Sequence, residues 1–136
     1  MLFRSLAEHG LRPDPAGTDA DLDDLAANYP GRGGDFVVLV DEIGRVVGTC
    51  GLYPLGDGKV ELRKMYLSPT FRGRGYGKRL LTWALGRARE LGFRRMELET
   101  AQVLRPAIAL YERAGFQRQC ASPHACRCDT RYALDL

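Results

Sequence analysis

Basic residues and glycines alternate in the middle of the chain, where they could hold a phosphate group. Residues 60–81 read VELRKMYLSPTFRGRGYGKRLL, and Arg72, Gly75 and Gly77 follow the spacing R-x-x-G-x-G. Glycine lets the backbone approach a ligand closely, and the first N–H groups of a helix have no partner inside the helix. These donors and the helix dipole attract anions. The segment therefore predicts a pyrophosphate site between a strand and a helix. The basic side chains around it are Arg72, Arg74, Lys78 and Arg79.

Two other phosphate-binding motifs do not fit this turn. A P-loop requires Ser or Thr after its lysine, whereas Arg79 follows Lys78. A dinucleotide-binding turn requires G-x-G-x-x-G, whereas Gly73, Gly75 and Gly77 alternate. Neither a P-loop nor a Rossmann fold is expected.

The turn resembles the signature R/Q-x-x-G-x-G/A of the GNAT superfamily of acetyl-CoA-dependent N-acetyltransferases. The residues that match it in order are Arg72, Gly73, Arg74, Gly75, Tyr76, Gly77 and, just after them, Lys78. A second block, LETAQVLRPAIALYERAGF at residues 98–116, resembles the other recurrent segment of that family. The two blocks occur in the family's order and spacing. Leu104 stands where many members carry Asn, so this side chain is not expected to contact pantetheine.

The resemblance implies an α+β fold, in which helices flank a mixed, mostly antiparallel β-sheet and a cofactor cleft opens between the splayed fourth and fifth strands. Apolar and alternating runs predict strands at 36–41, 46–53, 60–67, 95–100, 116–120 and 131–136. Helices are predicted at 19–29 and 75–91, with a short one between Pro106 and Gly115. A chain of 136 residues suits one core, so a single domain over residues 1–136 is expected.

The resemblance also implies which residues carry acyl transfer from acetyl-CoA to an amine. An alkylamine is mostly protonated at pH 7, and Glu61 matches the family's carboxylate that relays this proton. A backbone N–H of the fourth strand stabilises charge on the carbonyl oxygen, which points to Met65, Tyr66 and Leu67. Tyr111 matches the acid that protonates the leaving thiolate. Its ordinary pKa of about 10 lies near the value of about 8.5 for a thiol, so this transfer is expected to be nearly balanced.

Both proposed catalytic side chains have a structural alternative. Tyr111 could pack in the core with its hydroxyl satisfied. Glu61 could be an ordinary strand carboxylate paired with Arg63 or Lys64.

The acceptor is expected to be a primary amine of a small molecule or an amino acid. No acidic run that would attract a basic peptide is present, and protein or peptide amines are the alternative. Arg63 and the late-loop residues His124, Arg127 and Asp129 are assigned to acceptor binding. Thr100, at the end of a predicted strand, is assigned to the cofactor.

The cysteines do not follow a common metal-binding pattern. Cys50 is expected in the core. Cys120, His124, Cys126 and Cys128 form C-x₃-H-x-C-x-C, which lacks the C-x₂-C spacing of common zinc sites. Free thiols and no bound metal are expected, with structural zinc as the alternative.

Charge and hydropathy exclude several classes of function. The net charge of +3 is mild and the charges alternate in sign, so no nucleic-acid partner is expected. No apolar run approaches the roughly 20 residues that span a bilayer. The start of the chain lacks the pattern of a signal peptide, which predicts a cytoplasmic protein without a membrane partner. A homodimer is left open. The alternatives are RNA binding through RGRGYGKR and a non-catalytic module that binds acetyl-CoA.

Overall fold

The computed structural model describes residues 29–101, 104–119 and 130–136. In this part of the chain, the regular elements are β1 (Asp35–Val40), β2 (Val46–Gly56), β3 (Lys59–Leu67), α1 (Tyr76–Glu90), β4 (Arg95–Thr100), α2 (Arg105–Arg113), β5 (Gln117–Gln119) and β6 (Thr130–Asp135). The strands form one sheet in the order β1-β2-β3-β4-β6-β5. Only β3 and β4 pair in parallel among these strands, so the expected mixed, mostly antiparallel α+β architecture is confirmed.

One strand is longer than its pattern predicted. Strand β2 was expected to end at residue 53, but it passes through Pro54 to Gly56. Pro54 lacks a backbone N–H, and the register shifts between Pro54 and Gly56, which accommodates it near the end of the hairpin. Asp57 and Gly58 then turn the chain with φ of 55° and 77°.

The two helices begin and end close to the predicted positions. Helix α2 has Pro106 in its first turn, and Gly115 follows its end with φ of 101°. Helix α1 starts after Gly75 and packs one face against the sheet. Its buried residues are Leu80, Leu81, Ala84 and Ala88.

Some predicted elements fall partly or wholly outside the described residues. The helix predicted at 19–29 is represented only by Tyr29, which precedes a 3₁₀ turn at Pro30–Arg32. The strands predicted at 116–120 and 131–136 are found at Gln117–Gln119 and Thr130–Asp135.

The sheet has two chemically different faces. Its core face packs against α1 and α2, and its buried members include Cys50, Leu52, Val60, Leu62, Met96, Leu98 and Tyr132. The alternating positions point to the opposite face. We call this opposite side the carboxylate face, after Glu61, Glu97 and Glu99.

The parallel strands β3 and β4 separate after a short paired segment. Their pairs are Lys59 with Arg95, Val60 with Met96 and Glu61 with Glu97. Both strands continue beyond the last pair, to residues 67 and 100. The splay expected between the family's fourth and fifth strands is therefore present between the third and fourth strands of the described residues, and we call the opening the β3/β4 gap.

Candidate active site

The glycine turn (residues 72–77) connects the end of β3 to the start of α1. A 3₁₀ turn at Pro69–Phe71 leads into it. Gly73 and Gly75 have φ of 75° and 83°, which other residues adopt only with strain. A Cβ atom on either glycine would meet nothing within 4 Å. The turn is therefore shaped by the two glycines and borders open space that a ligand can enter.

The first turn of α1 borders this space with backbone donors that have no partner inside the helix. The Arg79 N–H donates to the Gly75 carbonyl at 3.1 Å, so the N–H groups of Tyr76, Gly77 and Lys78 have no partner inside the helix. No side chain caps this end, and no acidic residue lies in the first turn. Lys78 and Arg79 are exposed beside it. The helix start therefore has the donors and charge that a phosphate group requires.

Arg72 stabilises the turn itself. Its Nε donates to the Leu67 carbonyl at 2.9 Å, which ties the glycine turn to the end of β3. The exposed Arg74 guanidinium lies 5.6 Å from the centre of the Phe71 ring. Sequence reasoning treated Arg72 as a source of positive charge and did not foresee this structural contact.

Glu61 lies on the carboxylate face in an ion pair with Arg63. The Arg63 Nε donates to a Glu61 carboxylate oxygen, and the guanidinium lies 3.8 Å from the centre of the Tyr53 ring. The structural alternative for Glu61 is thus partly realised, because Arg63 is an ion-pair partner of this carboxylate. The Glu61 side chain is 13% exposed, so solvent or a ligand can still reach it. The contact fixes Arg63, which was assigned to the acceptor, beside the proposed base.

Two further carboxylates lie on the same face. Glu97 accepts from Arg95 at 3.0 Å, and Glu99 accepts from Arg131 at 3.0 Å. The buried Arg131 Nε has no hydrogen-bond partner among the residues that the structure describes. The alternation of residues 95–100 predicted this orientation, but sequence reasoning assigned no role to Glu97 or Glu99.

Tyr111 lies on the other side of the sheet, in the core. It is 6% exposed, and its ring centre lies 5.9 Å from that of Phe116. Burial raises the pKa of Tyr111 well above its ordinary range, with further contributions from Cys50 and Tyr66. The expectation of a nearly balanced proton transfer is therefore wrong for this environment. The phenol holds its proton firmly and is a hydrogen-bond donor at neutral pH.

Cys50 occupies the core, as predicted. It is fully buried, and burial raises the pKa of its thiol to about 12. A thiol with this pKa is neutral at physiological pH and is a poor nucleophile.

A β-bulge in β3 lies beside the β3/β4 gap. Thr49 pairs with Tyr66 and Gly51 pairs with Arg63, so the register shifts between them. Lys64, at the extra position, is 7% exposed and has φ of 54°. This conformation costs a residue with a Cβ roughly 1–2 kcal/mol. The Thr49 hydroxyl donates to the Lys64 carbonyl at 2.6 Å, a contact worth about 1 kcal/mol, which offsets much of that cost.

Thr49 was not found from the sequence. A threonine within a strand is ordinary, and a lysine carries no preference for positive φ. Only the paired strands show that the hydroxyl of one meets the bulge of the other.

The remaining predicted site residues are placed as follows. Thr100 is buried at the end of β4, where it pairs with Thr130. His124, Arg127 and Asp129 lie outside the described residues, as do Cys120, Cys126 and Cys128. Within the described ranges, no group of three or more His, Cys, Asp and Glu residues could hold a metal ion. No helix in those ranges is long and apolar enough to cross a membrane.

Comparison with known proteins agrees with the fold. A sequence profile of the acetyltransferase (GNAT) family matches residues 3–116. The Escherichia coli protein called uncharacterized N-acetyltransferase YjgM is 45% identical over 116 residues, which are 82% of this chain and 69% of that protein. Two animal relatives, 36% and 38% identical, are matched over only 45% and 51% of their length.

Two solved structures are similar over nearly the whole chain. An acetyltransferase of the GNAT family from Staphylococcus aureus has a TM-score of 0.87 at 23% identity, covering 98% of this chain and 90% of that one. A GNAT phosphinothricin acetyltransferase from Sinorhizobium meliloti, solved with AcCoA, has a TM-score of 0.73 at 28% identity, covering 99% and 77%. The chain belongs to the GNAT family of acetyltransferases. It is an N-acetyltransferase of that family, which in general uses acetyl-CoA and an amine acceptor.

Proposed function

We propose that this protein transfers the acetyl group of acetyl-CoA to the primary amine of a small molecule or an amino acid. The main observation behind the proposal is that one strand, β3, connects the β3/β4 gap to the glycine turn. The gap opens beyond Glu61 and Glu97, and β3 continues to Leu67 and into the turn before α1. A long ligand with phosphates at one end and a reactive group at the other fits this arrangement.

The residues present suit the cofactor. The N–H groups of the first turn of α1 would hold the pyrophosphate, with positive charge from Arg74 and Lys78. Backbone groups of residues 65–67, on the strand that borders the gap, would bind the pantetheine arm and the acetyl carbonyl, with Thr100 opposite. When bound, acetyl-CoA supplies an acetyl group activated as a thioester.

Glu61 would accept the proton of the acceptor amine. It lies at the last pair before the gap, on the carboxylate face, so an amine that approaches the gap from this face comes close to Glu61 and to its register neighbour Glu97. The match of Glu61 to the family's carboxylate favours it over Glu97 as the base. A relay through water suits a carboxylate that already accepts from Arg63. Arg63 orients the carboxylate and adds positive charge that favours an acceptor bearing its own carboxylate.

Tyr111 would donate to the departing thiolate from the core side. Its raised pKa means that the phenol is protonated whenever the thiolate forms. The Tyr111 phenol would therefore donate a hydrogen bond to the thiolate sulfur before any proton transfer. Full transfer of the proton from this general acid to the thiolate would be thermodynamically unfavourable.

The proposal has further parts that concern the whole chain. It includes a single domain over residues 1–136, a cytoplasmic location and no metal requirement. Binding of the acceptor by His124, Arg127 and Asp129 is included, with a protein or peptide amine as the alternative acceptor. A homodimer is left open.

Thermal melts followed by a turnover screen test the proposal. A ligand that binds only the native state at a hundredfold excess over its dissociation constant stabilises it by about 2.7 kcal/mol. We expect acetyl-CoA to raise the melting temperature by several degrees and single-stranded RNA to leave it unchanged. Release of thiol in the presence of a panel of amines and amino acids then identifies the acceptor. A shift with RNA alone would reject the proposal in favour of nucleic-acid binding. A shift with acetyl-CoA without turnover of any amine, amino acid or peptide would favour the non-catalytic module.

A further inference from the structure

A side chain of the neighbouring strand, Thr49, contacts the bulge in β3. Three residue steps of β3, from 63 to 66, lie opposite two steps of β2, from 49 to 51. The Thr49 Oγ1 donates to the carbonyl of Lys64, the extra residue, at 2.6 Å. The contact is partly buried and joins residues that are distant in sequence. The hydroxyl of Thr49 therefore fixes the direction of one particular carbonyl.

That direction determines where the next N–H group points. The Lys64 carbonyl and the Met65 N–H belong to one planar trans peptide, in which they point in opposite directions. Thr49 lies on β2 and alternates with the buried Cys50, so its side chain is on the carboxylate face. The Lys64 carbonyl points towards that side, and the Met65 N–H points away from it. The direction away from β2 leads to the β3/β4 gap and the core face, where Tyr111 lies.

The bulge also changes which side chains face the core. Val60 and Leu62 lie in the core before the bulge, and Met65 and Leu67 pack against it after the bulge. An extra residue reverses the alternation of a strand in this way. The peptide between Lys64 and Met65 thus lies beyond the last pair of β3 with β4, at the point where the side-chain alternation of β3 reverses.

We infer that Thr49 is a positioning residue for acyl transfer. By holding the Lys64 carbonyl, its hydroxyl aims the Met65 N–H into the gap, where this donor polarises the carbonyl oxygen of the bound acetyl group. The inference rests on the proposed function, and it selects Met65 from the three backbone donors at residues 65–67. Thr49 itself touches neither the cofactor nor the acceptor.

The test uses a spectroscopic signature of the acetyl carbonyl that needs no acceptor. Acetyl-CoA labelled with ¹³C at the acetyl carbonyl is bound to the full-length protein, and its C=O stretch is measured by difference infrared spectroscopy. With the wild type, we expect the C=O stretch of bound acetyl-CoA to lie at lower wavenumber than that of acetyl-CoA free in solution. Thr49→Val retains the branched shape without the hydroxyl and should lose the shift, whereas Thr49→Ser should keep it. Thr82→Val, on the exposed side of α1, is the matched control and should keep it as well.

Turnover separates positioning from simple support of the fold. Loss of an aligned donor to a developing oxyanion costs about 10² to 10³ in kcat, so a misaligned donor should cost at least about tenfold. Thr49→Val should show this loss with an acetyl-CoA dissociation constant within a few-fold of the wild type, and Thr49→Ser should restore turnover. If Thr49→Val cannot be purified folded, Thr49→Ala removes the same hydroxyl.

The outcomes distinguish this inference from the function on which it rests. Wild-type protein that does not bind acetyl-CoA would overturn the proposed function and the inference with it. Binding with an unshifted carbonyl, or a shift that survives in Thr49→Val and Thr49→Ala, would overturn the inference alone. A loss of stability in these variants with unchanged carbonyl frequency and kcat would assign Thr49 to folding only.

Discussion

Glu61 and Tyr111 lie on opposite faces of the sheet. Glu61 alternates with Val60 and Leu62, which pack in the same core as Tyr111. The β3/β4 gap opens immediately beyond Glu61. The proposed function therefore places the carboxylate on one side of a group bound in the gap and the phenol on the other.

Glu61→Gln should lower the rate at neutral pH by about 10²-fold, since the amide keeps the shape but cannot accept the proton. The difference from the wild type should narrow near pH 9, where roughly a tenth of an amine with a pKa of about 10 is already free. Glu97→Gln is the matched control, because Glu97 is the register neighbour, is also 13% exposed and is also paired with an arginine. Rates with saturating acetyl-CoA from pH 7 to 9 provide the measurement. A rate difference between Glu61→Gln and the wild type that stays constant from pH 7 to 9 would indicate that Glu61 orients the acceptor. An equal loss of rate in Glu97→Gln would indicate a general effect of charge on the carboxylate face.

Tyr111→Phe should lower turnover by roughly 10²- to 10⁴-fold, because it removes the proposed donor to the thiolate but retains the ring. The acetyl-CoA dissociation constant should change little. Tyr132→Phe is the control, since Tyr132 is another buried tyrosine of the core face. Because burial raises the pKa of Tyr111, the wild-type rate should show no decline up to pH 9 from ionisation of this phenol. Turnover like that of the wild type in Tyr111→Phe would assign this side chain to packing.

Gly75→Ala should weaken acetyl-CoA binding beyond any effect on folding. Gly75 and Gly44 have the same φ of 83°, and a Cβ on either meets nothing within 4 Å. Each substitution should therefore cost about 1–2 kcal/mol of stability through backbone strain. Gly44 lies in the turn between β1 and β2, so Gly44→Ala should bind acetyl-CoA normally. Calorimetric titration of both variants checks this, and equal affinities would show that the glycine turn does not contact the ligand.

Cys50 should make the protein less stable at alkaline pH. The pKa of its thiol is raised from 9.0 to about 12 in the folded state, so between these values the unfolded chain loses a proton that the folded chain keeps. The contribution of the neutral Cys50 thiol to the free energy of unfolding is fully present below pH 9. Above pH 9, the free energy of unfolding should fall by up to about 1.4 kcal/mol per pH unit. Urea unfolding at pH 8 and pH 10.5 should show a decrease that is smaller in Cys50→Ala. The same decrease in both proteins would exclude the thiol as its source.

The features that the sequence predicted correctly depend on local chemistry. The glycine turn, Pro106 in the first turn of α2 and Gly115 after its end all follow from backbone preferences of single residues. The alternation of residues 95–100 follows from burial of one face of a strand. The sequence left Arg63 and Lys64 open as partners of Glu61, and the structure shows an ion pair with Arg63, two positions away on the same face of the strand.

The features that the sequence did not predict depend on contacts between distant segments. Nothing local in Lys64 indicates positive φ, because the bulge is supported by Thr49 on another strand. The pKa of Tyr111 depends on its burial between α2 and the sheet, beside Cys50 and Tyr66. Both features are tertiary, and both modify the chemistry that the motifs alone implied.

The short pairing between β3 and β4 has a mechanical consequence. The described sheet consists of two antiparallel halves, β1-β2-β3 and β4-β6-β5. Among the described residues, the strand pairs between these halves run from Lys59–Arg95 to Glu61–Glu97. The β1/β2, β2/β3 and β4/β6 ladders within the halves are longer, and only the β5/β6 ladder at the sheet edge is as short. The two halves of the described sheet are therefore joined by few backbone hydrogen bonds. A small rotation of one half relative to the other would widen or narrow the β3/β4 gap. A cofactor bound in the gap would contact both halves and would restrict their relative rotation, so the sheet would be more rigid around the reacting groups.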